Sequence, residues 1–174
     1  GANVTGIDAS ENSIEIAKKH AKKSRLEINY KCITTSKLLE VKEVNINKFD
    51  LVIASEVIEH VNNRKVFLSD ISNLCRAGGL VVFTTINKSF LGVLLGKYFA
   101  EDILKILPAG THEVAKFISP KNLAIEAERQ GIVLDNFTGF TPTFGIKNII
   151  NKEFGNFTLT SNTLINYGAA GIKL

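Results

Sequence analysis

Apolar and polar positions along this chain switch between two periods, in regular alternation. Short apolar runs at 4–7, 26–33, 49–54 and 80–86 read as strands. Between them, apolar residues recur three and four apart. Ile14, Ala17 and Ala21 make one helical stripe; Val66, Phe67, Ile71, Leu74 and Cys75 make another over about 64–76. Punctuation agrees with the periods. Ser10 can cap the first helix, Glu11 lies in its first turn, and Lys18, Lys19, Lys22 and Lys23 crowd its end, all matched to the helix dipole. Gly78-Gly79 reads as the end of the second helix. Ser119-Pro120 reads as a cap followed by proline at the first helical position, with Gly131 as the stop. Alternating strands and helices predict an α/β fold with a mostly parallel sheet. The run Leu80 to Ile86 is apolar on both faces and is expected near the sheet's centre. Ile132–Phe140 and Leu164–Ile172 are expected to close the sheet as an antiparallel pair, with mostly loop between them.

From Phe90 to Leu107 the texture changes. Leu91, Leu94, Leu95, Tyr98 and Phe99 recur at helical spacing, while Lys97, Glu101 and Lys105 form a polar line. The run is too short and too charged to span a bilayer. Two readings stay open: a helical cover on the sheet, or a lid over an apolar substrate that touches lipid. No repeat or linker divides the chain, so a single domain over 1–174 is expected, with 89–108 as an amphipathic insertion.

Composition narrows the classes. A chain of 174 residues with 45% hydrophobic and 22% charged residues can bury a real core. Net charge is +4 and the pI is about 9.0. The basic residues are scattered or confined to one helix, without interleaved aromatics, which argues against a nucleic-acid partner. Weak attraction to an anionic membrane surface is compatible with the same charge. Cys32 and Cys75 lack CxxC spacing and read as buried free thiols of a reducing cytosol. The chain carries no methionine and opens on Gly1-Ala2-Asn3-Val4 in a strand already under way, which reads as a sequence trimmed at its start.

The segment Phe49-Asp50-Leu51-Val52-Ile53-Ala54-Ser55-Glu56-Val57-Ile58-Glu59-His60 carries the chemistry. A buried-strand pattern stops at Ala54, and two carboxylates and an imidazole follow. If the chain turns helical there, Glu56, Glu59 and His60 share one face at i, i+3 and i+4. Such groups just past the C-terminal end of a parallel strand sit where open α/β sheets bind ligands. They could hold a divalent ion, act as general acid or base, or be dipole-matched acids of a solvated first turn. Asp8 ends the first strand. It could accept both hydroxyls of a ribose or serve as a turn acid. His112, in the loop Leu107-Pro108-Ala109-Gly110-Thr111-His112, is either a general base or a surface imidazole.

The order Val-Thr-Gly-Ile-Asp, then Phe-Asp-Leu-Val-Ile-Ala-Ser-Glu-Val-Ile-Glu-His-Val, then Ala-Gly-Gly-Leu-Val-Val-Phe-Thr-Thr-Ile-Asn is similar to class I S-adenosylmethionine-dependent methyltransferases. With Leu107–His112 and Lys116-Phe117-Ile118-Ser119-Pro120, the chain resembles their ubiquinone-biosynthesis O-methyltransferase branch over its whole length. The resemblance implies a Rossmann-like, mostly parallel sheet with an antiparallel closing strand. The family's first strand and Gly-rich loop should precede Gly1 and are missing from this sequence. It implies S-adenosyl-L-methionine as methyl donor and a phenolic hydroxyl of a polyprenyl catechol or quinol as acceptor. By carry-over, Asp8 and Ser55 bind the cofactor, and Glu56, Glu59 and His60 match positions assigned to Mg²⁺. Deprotonation of the phenol would then fall to the metal, or to His60 or His112 as catalytic base. The apolar insertion would cover the polyprenyl tail or meet the membrane that holds it. A cytoplasmic enzyme is expected, peripheral at the inner membrane face and associated with a ubiquinone-biosynthesis complex. The loop Thr34-Thr35-Ser36 lacks the acidic residue common near the adenine in this family. The competing readings are a methyltransferase of another small-molecule class and a non-catalytic remnant that keeps the fold.

Overall fold

The computed structural model describes residues 1–42, 44, 48–89, 116–142 and 157–174. Its chain divides into two compact units, Gly1–Lys48 and Phe49–Leu174.

In the first unit, β1 (Thr5–Asp8) and β2 (Asn29–Cys32) pair in parallel, joined by α1 (Glu11–Lys23). The Ser10 hydroxyl accepts from the Ser13 amide at 3.3 Å, and Ile14 and Ala21 are buried, so the predicted cap and stripe both hold. The second strand is shorter than expected. Arg25 takes a left-handed turn (φ 54°), and the Leu26 amide bonds back to the Ala21 carbonyl. Helix-terminal bonding thus claims Leu26, the first residue that the apolar pattern assigned to the strand. A short helix, α2 (Thr35–Leu39), replaces the expected loop, because the Thr34 hydroxyl caps the Lys37 amide and Leu38 is buried beneath it. Cys32 is exposed rather than buried, and its thiol donates to the Ala9 carbonyl; Cys75 is buried, and neither forms a disulfide.

The second unit is built on a five-stranded sheet, ordered β3 (Phe49–Ser55), β4 (Cys75–Ile86), β7 (Asn166–Lys173), β5 (Ile132–Pro142) and β6 (Phe157–Thr160). Strands β3 and β4 run parallel; β5 and β7 pair antiparallel, as expected of the closing pair, and β7 lies between β4 and β5, antiparallel to both. The helix α3 (Arg64–Leu74) ends before the glycines. Gly78 and Gly79 belong to β4, in the stretch where its register to β3 shifts between Phe49↔Cys75 and Leu51↔Leu80. By contrast, Gly131 stops α4 (Pro120–Glu128) as predicted, in the positive-φ region. β6 falls in a stretch expected to be loop.

One face of this sheet carries the core. Ala54, Val81, Phe83, Ile132, Leu134, Tyr167 and Ala169 pack there against Phe67, Leu68 and Ile71 of α3 and Leu123 and Ala127 of α4. An Arg64–Glu126 ion pair at 3.1 Å and the Ser72 hydroxyl on the Gln130 carbonyl at 2.6 Å tie these two helices and the turn after α4 together. The opposite face shows Leu51, Ile53, Leu80 and Ile172 to solvent. The insertion at 89–108 and His112 lie outside the described residues, apart from Ser89 at its edge.

Candidate functional site

Parallel pairing of β3 with β4 brings Ser55 level with Thr84 at the C-terminal crest of the strands. Side chains alternate along a strand, so Thr84 and Thr85 leave opposite faces of the sheet. The Thr84 hydroxyl lies on the open face, 2.9 Å from the Ser55 hydroxyl. Beyond Ser55 the chain does not become helical. Glu56 turns left-handed (φ 51°), and the His60 amide closes a turn onto the Val57 carbonyl at 2.9 Å. A bulky non-glycine residue in that conformation costs about 1–2 kcal/mol, and two acceptors hold it there. The Glu56 amide donates to the Thr84 carbonyl at 2.9 Å and lies 3.2 Å from the Thr84 hydroxyl.

This turn overturns the helical face expected for Glu56, Glu59 and His60. Ile58 and Glu59 dive into the protein, whereas Glu56 and His60 stay exposed. Glu59 is 2% exposed. Its Oε2 accepts from the Thr85 hydroxyl at 2.8 Å, and its Oε1 is buried without a hydrogen-bond partner among the described residues. Among the described residues, no three His, Cys, Asp or Glu side chains converge as a metal site would require. The structure therefore does not bring the expected Mg²⁺ set together: one of its three members faces the core while two face solvent.

Buried beside this anchor, Tyr167 stands opposite Thr85 on β7. Its hydroxyl donates to the Ile118 carbonyl at 3.1 Å. Burial, and next the charge of Glu59, push its phenol far above the ordinary range.

In the other unit, Asp8 sits at the C-terminal tip of β1, and its Oδ1 accepts from the Ser10 amide at 2.7 Å. The turn-acid role is thus filled by one oxygen of an exposed carboxylate. The sequence pattern assigns no role to Thr84 or Thr85. Their signal was available as two hydroxyls ending the apolar run Leu80–Phe83, on the strand expected at the centre.

Residues 1–83 match the family model described as "Methyltransferase domain". The chain is 35% identical over 173 residues to the ubiquinone biosynthesis O-methyltransferase of Pelagibacter ubique (strain HTCC1062), covering 99% of this chain and 67% of that one. It is 36% identical over 168 residues to the enzyme of the same name from Nitrobacter winogradskyi, covering 96% and 59%. Among solved structures, the magnesium protoporphyrin IX methyltransferase of Synechocystis PCC 6803 with bound SAH superposes with a TM-score of 0.65 at 15% identity, over 100% of this chain and 65% of that one. That likeness shows the methyltransferase fold. The chain spans between half and about two thirds of the length of the curated relatives it matches. On the extent and identity of the first of these matches, the chain belongs to the ubiquinone biosynthesis O-methyltransferase family.

Proposed function

We propose that this chain is an S-adenosylmethionine-dependent O-methyltransferase whose acceptor is a phenolic hydroxyl on a polyprenyl catechol or quinol. Family membership supports the reaction class. The observation that carries it to named atoms is the exposed Ser55 hydroxyl at the crest of a parallel strand pair, where α/β sheets place ligands. In the first unit, Asp8 offers a strand-tip carboxylate of the kind that takes ribose hydroxyls; in the second, Ser55 offers a strand-tip hydroxyl of the kind that takes a methionine moiety. When bound, the cofactor supplies a methyl group already activated on a sulfonium. What remains for the protein is to align the acceptor oxygen, keep water out and take the phenolic proton. His60, exposed on the turn after Ser55, is the base we propose, with His112 as the second candidate. The residues expected for Mg²⁺ do not form a set that fits it, because Glu59 faces the core. The 89–108 insertion is proposed to cover the polyprenyl tail at a membrane surface; among the described residues no helix is long and apolar enough to cross one.

Calorimetric titration of S-adenosylhomocysteine, with and without Mg²⁺, tests the reading. Micromolar binding, about −8 kcal/mol, is expected. His60→Asn should keep that affinity while slowing methyl transfer to a short-chain prenyl catechol by about 100-fold. A folded chain that binds no S-adenosylhomocysteine overturns the proposal. A dependence of binding on Mg²⁺ would return Glu56 and His60 to the metal role.

A further inference from the structure

The turn that follows Ser55 is pinned from both faces of the sheet by two consecutive residues of β4. On the open face, the Thr84 hydroxyl meets the Ser55 hydroxyl at 2.9 Å and the Glu56 amide at 3.2 Å. On the core face, the Thr85 hydroxyl holds the Glu59 carboxylate at 2.8 Å, where Thr85 is fully buried. Between these anchors lies Glu56, a non-glycine residue in left-handed backbone. Strain of that kind persists only where the surroundings over-determine it, and it gathers at functional sites. A serine hydroxyl alone has three rotamers of similar energy. A neighbour 2.9 Å away selects among them.

We propose that Thr84 is a positioning residue. It selects one Ser55 rotamer and holds Glu56 left-handed, so that the crest meets the methyl donor in one arrangement, while Thr85 anchors the far end of the same turn through Glu59. The proposal rests on the reading of Ser55 as a cofactor contact. Its structural half, the coupling of Thr84 to the Glu56 backbone, stands apart from that reading and can be measured without any ligand.

The test uses the intact chain as Thr84→Val, Thr84→Ser, Glu56→Gly and the Thr84→Val/Glu56→Gly double variant. Valine keeps the shape and removes the hydroxyl; serine keeps the hydroxyl. Thr84→Val should weaken S-adenosylhomocysteine binding about tenfold, the worth of one well-made hydrogen bond, and Thr84→Ser should restore it to within about twofold. A threonine that served only to fill space would bind alike as valine, which keeps its shape. Thermal melting reads the second half. Glu56→Gly should raise the melting temperature of the wild-type chain by relieving the left-handed strain, and the gain should fall below half in the Thr84→Val background. Equal gains in both backgrounds overturn the clamp, as does valine binding the cofactor product like wild type or serine binding it as weakly as valine. If the wild-type chain binds no S-adenosylhomocysteine, the proposed function fails, and the melting cycle still decides whether Thr84 holds the turn.

Discussion

Tyr167 shows how a single side chain in this core reports on pH. Its ring lies tilted against Phe137 with centroids 6.3 Å apart, and its buried hydroxyl spends its proton on the Ile118 carbonyl. Burial and the Glu59 charge hold the native phenol above its ordinary value of 10.0. In the unfolded chain the phenol ionises near pH 10. Above that pH the unfolded state sheds a proton that the native state keeps. Stability conferred by the neutral phenol is therefore complete below about pH 10 and declines as pH rises further. Melting curves from pH 8 to 11 should fall more steeply for wild type than for Tyr167→Phe; parallel curves would reject the assignment. At neutral pH the same variant should lose about 1–2 kcal/mol, because a buried carbonyl loses its donor. At this scale the sequence was half legible. Asp8 and Ser55 could be placed at strand tips because an apolar run visibly stops at each. The inward turn of Glu59 could not be read, because its cause, the Thr85 hydroxyl, lies 26 residues further along the chain.

Elements were most legible where local chemistry decided them. Ser10 and the stripe of Ile14 and Ala21 specified α1, and Ser119-Pro120 with Gly131 specified α4, because caps and periodicity act within a few residues. The misreadings share a different cause. Leu26 looks like a strand residue, but Arg25 and the Ala21 carbonyl draw it into a helix terminus. Gly78-Gly79 looks like a helix stop, but pairing with β3 starts β4 at Cys75. In both cases a partner outside the local window won. Strand packing also makes one element unusually intolerant. At Gly171 of β7 a Cβ would lie 1.9 Å from the Val133 carbonyl oxygen, beside the register shift between Leu134 and Asn136. Backbone cannot yield there as a side-chain tip can. Gly171→Ala should cost about 3 kcal/mol or more, seen as a lower denaturant midpoint. A loss of under about 1 kcal/mol would mean that β5 slides easily against β7.

At the scale of the whole second unit, Leu51, Ile53, Leu80 and Ile172 stand exposed together on the face opposite α3 and α4, and among the described residues β3 pairs on one side only. Exposed apolar edges promote pairing between chains. Ile53 is 61% exposed, so Ile53→Lys should leave the melting temperature within about 2 °C while lowering concentration-dependent light scattering. Undiminished scattering would place the association elsewhere. The insertion of β7 between β4 and β5 has a consequence in time rather than space. β4 ends at Ile86 and β5 at Pro142, yet the strand that joins them begins only at Asn166. On a ribosome adding about 5–20 residues per second, β4 emerges on the order of ten seconds before its central partner exists. Through that interval β4, joined towards its end by β5, waits with pairing groups facing water until β7 is made between them.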